Sequence, residues 1–493
     1  MQFNSIDFII FFPIVTVVYF LISEKYRNYW LLATSYFFYM CWNPIYICLL
    51  FLSTVVTYFA GILIEKEKQS HHDAGVCKRN KNIILFVCIA INLGLLFYFK
   101  YFNWSCHILD VIFSKIGVDV TIPSFNILLP VGISFYTFQA LGYAIDVYRD
   151  EIYAEKNFFQ YALFVSFFPQ LVAGPIERSK NLLVQLSQPG RFEYERVRAG
   201  LLTMLWGFFL KMVVADRVAV FVNTVYGDLS SYMGIELALA SFFFAIQIYC
   251  DFMGYSIIAI GAAKVLGFSL MENFNNPYFA ISIKDFWRRW HISLSTWLRD
   301  YVYIPLGGNR KGRIRKYVNL ITTFFVSGLW HGANFTYVIW GLLHGIYQIA
   351  GELIGMLFSK LQISIHSSLK SVWKVIRVIV TFVLVDIAWV FFRANTVSDA
   401  LYVLQYGKFI NNWKILLHGG LYNYGLVQFD FIMLLIAFCV MFVAALIRER
   451  GNVLSKWVSA KPGVVRILLY WMAILMIIFS MDIGGGEFIY FQF

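Results

Sequence analysis

The sequence predicts an all-α, polytopic membrane protein, and three observations predict it. The 493-residue chain is 60% hydrophobic, 19% aromatic and only 14% charged. A soluble domain averages about 45–50% apolar and 25% charged residues. The apolar excess arrives as runs long enough to cross a bilayer, not as a large soluble core. The basic residues behind a net charge of +12 cluster between those runs. That is the distribution the positive-inside rule produces, and the interleaved aromatics sit at run edges as interfacial anchors do, so nucleic acid is not an expected partner.

In chain order, the runs 6–22, 28–43, 45–64, 83–101, 197–214, 234–250, 317–330, 334–352, 375–392, 430–446 and 464–481 read as helical spans. Interrupted segments at 125–146 and 159–175 bring the expectation to roughly ten to thirteen crossings. Pro130 and the Pro169–Pro175 stretch break helices. Such breaks survive in a membrane only where backbone faces protein or a water-filled cavity, which points to an internal chamber. The first run has neither a basic leader nor a small-residue cleavage site and reads as a retained span. The loops 65–82, 284–316 and 448–466 carry the basic clusters and are expected on the cytoplasmic side, placing both termini outside. One integral membrane domain, 1–493, is expected: spans at 1–124, a core at 125–350, further spans at 351–483 and an extracytoplasmic aromatic tail at 484–493. The seven cysteines form no CxxC pair and read as small buried hydrophobes, so neither a disulfide framework nor a metal site is expected.

The chain has no phosphate-binding loop, no HExxH and no nucleophile elbow. Chemistry must come from scattered polar groups, and ionisable side chains inside hydrocarbon are costly enough to be functional candidates. His331, after Trp330 in an apolar run, is the foremost. A buried neutral imidazole can take a proton from a hydroxyl and return it to a leaving group. A histidine bonded to a backbone carbonyl for packing alone is an equal alternative. Asn334, three residues on, is expected on the same helical face. His344 lies 13 residues after His331 and cannot share its site unless the helix breaks. Trp287, His291 and Ser295 recur at one-turn spacing, with Arg288, Arg289 and Arg299 opposite. This predicts an amphipathic helix on the inner leaflet, binding anionic lipid or the phosphates of a cytoplasmic donor. Arg310 and the basic run to Lys316 extend that surface. Among intramembrane polar residues, Asp251 is expected to line the chamber or to pair with Lys211 or Lys264, and Gln170 to support it.

At these residues the chain resembles the membrane-bound O-acyltransferase family, specifically its bacterial alginate O-acetylase-like branch, and also the D-alanyl teichoic acid transferases. Trp330-His331-Gly332-Ala333 with Trp340-Gly341, and Phe286 to Trp297 followed by Arg299-Asp300-Tyr301-Val302-Tyr303-Ile304-Pro305-Leu306-Gly307-Gly308, resemble the family's two signatures. The segments Leu129 to Tyr136, Pro169 to Ile176 and Asp251 to Ser256 are similar to others of that branch. The resemblance implies a ring of transmembrane and re-entrant helices around a central tunnel in a cytoplasmic (inner) membrane. It implies His331 as the catalytic histidine and His291 at the family's second polar position, which elsewhere is often Asn or Asp. It also brings Tyr136, Trp330, Asn334, Asp251 and Gln170 to the tunnel, and Arg288, Arg289, Arg299 and Arg310 to the donor side.

The implied reaction takes an acyl group from a cytoplasmic thioester, acetyl-CoA as co-substrate rather than cofactor, to a hydroxyl of an exported polysaccharide. D-alanyl transfer to teichoic acid from a carrier-protein thioester is the alternative. The tail, Gly484-Gly485-Gly486-Glu487-Phe488-Ile489-Tyr490-Phe491-Gln492-Phe493, is similar to the ends of partner peptides in the D-alanylating relatives. That similarity makes Tyr490 a possible acyl relay; an interfacial aromatic belt is the plain alternative. The implied partners are membrane lipids, an acyl carrier on the cytoplasmic side, and an extracytoplasmic SGNH-hydrolase-like acetyltransferase or other polysaccharide-modifying proteins. A sugar or lipid-linked sugar transporter would share the many spans and broken helices, but no inverted repeat is visible.

Overall fold

A computed structural model describes residues 1–118, 125, 128–172, 174–188, 190–361, 366–416, 420–481 and 488–489. All regular structure among them is helical, as the composition predicts. Seven of the helices are long and apolar enough to cross a membrane: Pro44–Lys68, Ala74–Lys100, Ile235–Leu266, Phe335–Lys360, Lys370–Arg393, Gln428–Glu449 and Gly463–Ser480. The other expected spans at the N-terminus are also helices, Ile6–Leu21 and Glu24–Met40; the first has only 16 residues and the second carries Glu24, Lys25 and Arg27. The chain forms two compact units.

The first unit comprises Met1–Met204 with Ile258–Met271. Its first helix starts at Ser5, whose hydroxyl accepts the Phe8 N–H at 3.2 Å, the usual way of satisfying an orphan donor at a helix start. Ile133–Tyr148 is apolar on nearly every side and correspondingly buried on nearly every side. It begins after Pro130 with Gly132 in the left-handed region (φ 77°), where a Cβ would lie 2.8 Å from the Leu171 carbonyl oxygen. The expected break at 159–175 falls between Phe158–Ser166 and Phe168–Leu171. It frees the Phe164 carbonyl, which accepts Nε2–H bonds from Gln139 (2.6 Å) and Gln170 (3.0 Å). A broken helix in an apolar interior is tolerable when side chains take over the lost backbone bonds in this way.

The second unit comprises Leu205–Ile257 with Glu272–Phe493. Here the helix continuing from Tyr194–Phe208 widens to a π-helical stretch, Phe209–Ala215, before resuming as Asp216–Gly227. Two short helices, Ile283–Arg289 and Ile292–Leu298, precede a helical hairpin of Gly312–His331 and Phe335–Lys360. The hairpin closes because glycine occupies its crossing points. A Cβ at Gly328 would lie 2.4 Å from the Tyr337 oxygen, and one at Gly341 would lie 2.3 Å from the Phe324 oxygen. Small residues at such contacts are how membrane helices reach close van der Waals packing. The indoles of Trp290, Trp340 and Trp389 fill the centre of this unit and are fully buried.

Candidate functional site

The Gly312–His331 helix ends at His331, because Gly332 turns fully extended and Asn334 starts the next helix. Asn334 caps that helix, its Oδ1 accepting the Thr336 N–H at 3.1 Å while its Nδ2–H donates to the Asn395 carbonyl at 2.8 Å. The expectation that His331 and Asn334 share one helical face therefore fails: the helix stops between them, and Asn334 holds the turn. His331 is buried, with its ring edge-on to Trp330 (4.9 Å between centroids), Trp340 (4.8 Å) and Phe392 (5.2 Å).

His291 departs further from expectation. The continuous amphipathic helix over Trp287, His291 and Ser295 does not form. Trp290 is extended and His291 is left-handed (φ 41°, ψ 55°), splitting the segment into two seven-residue helices. Nor does His291 face lipid headgroups: it is fully buried, as are Phe286 and Trp290 nearby. The physical reason is a tertiary clamp. Asn273 accepts the Ser293 hydroxyl proton at 2.6 Å and the Ser293 N–H at 3.3 Å on Oδ1, and its carbonyl accepts the Ile292 N–H at 3.0 Å. Its Nδ2–H donates to the Ser256 hydroxyl at 2.8 Å. Asn273 is thus a positioning residue that sequence reasoning missed, lying in an irregular stretch with no motif to mark it. Outside the membrane-spanning helices, His291 has its pKa pushed down to about 3 by burial, so the ring is neutral.

Trp330 joins the two histidines. Its indole lies edge-on to His331 on one side and 5.8 Å from the His291 ring on the other. Phe252 closes the far side of His291 at 4.7 Å. His344 also comes close, because the helix break reverses the chain. Trp340 contacts His331 and His344 alike, at 4.8 and 5.1 Å. The Trp287 Nε1–H donates to His344 Nδ1 at 3.2 Å, which fixes that nitrogen as an acceptor.

The remaining candidates divide. Asp251 is buried and lies 2.8 Å from Lys211 Nζ, which also reaches Asp216 at 2.7 Å. Lys211 sits in the π-helical stretch, whose extra residue per turn re-aims side chains and recurs at functional sites. Arg289 is committed to Asp285 (3.3 Å) and Glu449 (2.7 Å), and Arg299 to Asp300 (2.8 Å). Arg288 and Arg310 are exposed and make no ion pair among the described residues. Tyr136 and Gln170 belong to the first unit, where both are buried and the Tyr136 ring meets Tyr39 at 6.5 Å. Tyr490 lies outside the described residues, but Phe488 and Ile489 just before it are buried, and the Ile489 N–H donates to Asp251 Oδ2 at 2.8 Å.

Buried imidazoles around a shared indole, in an all-α chain with several membrane-spanning helices, define an integral membrane protein with a polar site in its apolar interior. The family model of the membrane-bound O-acyltransferases matches residues 3–392, and the chain belongs to that family. It is a multi-pass membrane O-acyltransferase of the alginate O-acetylase type. The chain is 38% identical to the probable alginate O-acetylase of Pseudomonas aeruginosa, over 84% of this chain and 76% of that protein. It is 32% identical to the peptidoglycan O-acetyltransferase of Helicobacter pylori, over 89% of each. Against the teichoic acid D-alanyltransferase of Bacillus subtilis the identity is 29%, over 45% of this chain and 59% of the relative.

Proposed function

We propose that this chain moves an acetyl group from a cytoplasmic thioester to a hydroxyl on the outer side of the cytoplasmic membrane, supplying O-acetylation of an exported cell-surface polysaccharide. The observation that carries this reading is the pair of buried histidines about Trp330. His331 acts as general base. It takes the proton of the accepting hydroxyl as that oxygen attacks the thioester carbonyl, and gives it to the departing thiolate, so that an ester and a free thiol result. His291, neutral and set on a rigid turn, orients the acceptor or the developing oxyanion. The similarity to O-acetylating relatives over most of the chain favours acetyl, with acetyl-CoA as donor, over D-alanyl. Arg288 and Arg310, exposed and without an ion pair among the described residues, suit the donor's phosphates.

The acceptor in the first step is Tyr490. A phenol has a pKa near 10, so its ester is activated and onward transfer to a sugar hydroxyl is downhill. Phe488 and Ile489 are buried beside Asp251, and the Phe252 ring lies 6.1 Å from Phe488 and 4.7 Å from His291, which supports the relay. An extracytoplasmic SGNH-hydrolase-like transferase then passes the acetyl group to the polymer.

Inside-out vesicles given radiolabelled acetyl-CoA test this. Label is expected on the chain itself, lost in His331→Ala and in Tyr490→Phe. Undiminished labelling of His331→Ala, at normal expression, would end the proposal; undiminished labelling of Tyr490→Phe would end the relay alone.

A further inference from the structure

Residues towards the end of a domain are poorly ordered unless tied down. Phe488 and Ile489 are tied down: Phe488 is fully inaccessible and Ile489 is 3% exposed. The Phe488 ring stacks on Tyr255 at 4.2 Å with an interplanar angle of 28°, and lies 6.1 Å from Phe252. Lys211 Nζ lies 5.6 Å from the same Tyr255 ring. Asp251 divides its oxygens, Oδ1 facing Lys211 and Oδ2 taking the main-chain N–H of Ile489. A buried carboxylate oxygen without a donor is costly, and the tail provides that donor.

We infer that Asp251, held by Lys211 (which Asp216 also pairs) and flanked by Tyr255 and Phe252, forms a docking site for a peptide main chain, and that its occupant is this chain's own Phe488–Ile489 segment. The recognition reads a ring at one position and a backbone N–H at the next. It does not read the side chain of residue 489 through a polar group. The site is built rather than incidental. A Cβ at Gly254 would come within 2.9 Å of the Gly207 oxygen and 3.1 Å of the Lys211 nitrogen, so glycine there lets the helix carrying Asp251 approach the π-helical stretch carrying Lys211. Asp251 is then a positioning residue for acyl transfer. That consequence rests on the relay proposed above; the docking itself does not.

Carboxypeptidase digestion of the purified full-length protein in detergent, followed by intact mass, reads the docking directly. In the wild type, trimming is expected to stop with Ile489 in place. In Asp251→Leu, which removes the acceptor, and in Phe488→Ala, which removes the stacked ring, trimming through residue 488 is expected to run about tenfold faster or more, as cleavage follows the population of the released tail. Asp251→Asn keeps a carbonyl acceptor and is expected to restore most of the protection. Phe488→Ala leaves the buried cluster intact, so it decides the matter should Asp251→Leu not fold. Wild-type trimming through Phe488 at the rate of the variants, or wild-type resistance in Phe488→Ala, would overturn the docking. Phe488→Ala is also expected to lower kcat with the donor KM unchanged. Tyr490→Phe is expected to stay protected; its loss or retention of acyl transfer tests the relay separately.

Discussion

His331 and His291 differ in how they reach one indole, and that difference predicts different consequences of losing them. His331 ends a long helix by ordinary means, so His331→Ala should fold and be inactive. General-base loss typically costs about 10²–10⁴-fold, and the labelled-donor assay should show at least that fall in kcat. His291 depends on Asn273, four hydrogen-bonded contacts of which hold the turn or its support. Asn273→Ala should destabilise the protein by about 1–3 kcal/mol, because buried partners lose their bonds. Thermal unfolding in detergent measures that, and a parallel loss of activity is expected even though Asn273 is positioned behind His291. His331 stood out in the sequence because imidazoles in apolar surroundings are rare, and His291 because it recurs at one-turn spacing with Trp287 and Ser295 in a basic stretch. The conformation of His291 did not, since it is imposed by a residue 18 positions earlier and contradicts the helical spacing that surrounds it. Asn334 misled for a related reason: three-residue spacing implies a shared face only if the helix continues.

Helices were legible wherever length and hydropathy agree, and the breaks at Pro130 and Pro169 were legible because proline cannot donate to a helix. Less visible was what repairs a break. The Phe164 carbonyl is satisfied by Gln139 and Gln170, glutamines from two different helices. The hairpin around His331 makes a sharper case. Gly328→Leu should drive a side chain into the Tyr337 backbone, and overpacking of this kind costs about 1–3 kcal/mol. A lowered unfolding temperature and loss of acyl transfer are the expected readings. Near the Phe168–Leu171 helix, Glu177 is buried and accepts N–H bonds from Met271 and Asn181. Burial pushes its pKa up to about 7 despite those bonds. A carboxyl whose pKa rises on folding binds its proton more tightly in the native state. Its stabilising contribution is complete below the ordinary carboxylate range and is lost as pH rises to about 7. Unfolding midpoints of wild type should therefore fall relative to Glu177→Gln across that interval; parallel curves would contradict it.

For the molecule as a whole, the proposed reaction sets a sidedness. Its phosphate-bearing donor, unable to cross hydrocarbon, would meet the face carrying the basic loops. His71, exposed between the Pro44–Lys68 and Ala74–Lys100 helices, gives a handle on orientation. In a background freed of native cysteines, His71→Cys should react with an impermeant maleimide in inside-out vesicles and not in intact cells. Reaction in intact cells would reverse the topology and the donor side with it. The class of protein was readable from composition and signature residues together. The organisation into two compact units was not, because two of its boundaries fall inside helices, Tyr194–Phe208 and Ile235–Leu266, where no linker marks them.

The left-handed backbone at His291 carries a consequence for how the enzyme can vary. Asn, Asp and His are the non-glycine residues that visit this conformation most readily, and for other side chains it costs about 1–2 kcal/mol. The polar residue types that the family resemblance admits here are therefore also the ones the backbone accepts. An asparagine at 291 should leave the protein as heat-resistant as before while stripping out the imidazole, whereas a leucine should unfold it earlier. Geometry would then restrict what evolution can try at this position before chemistry has any say.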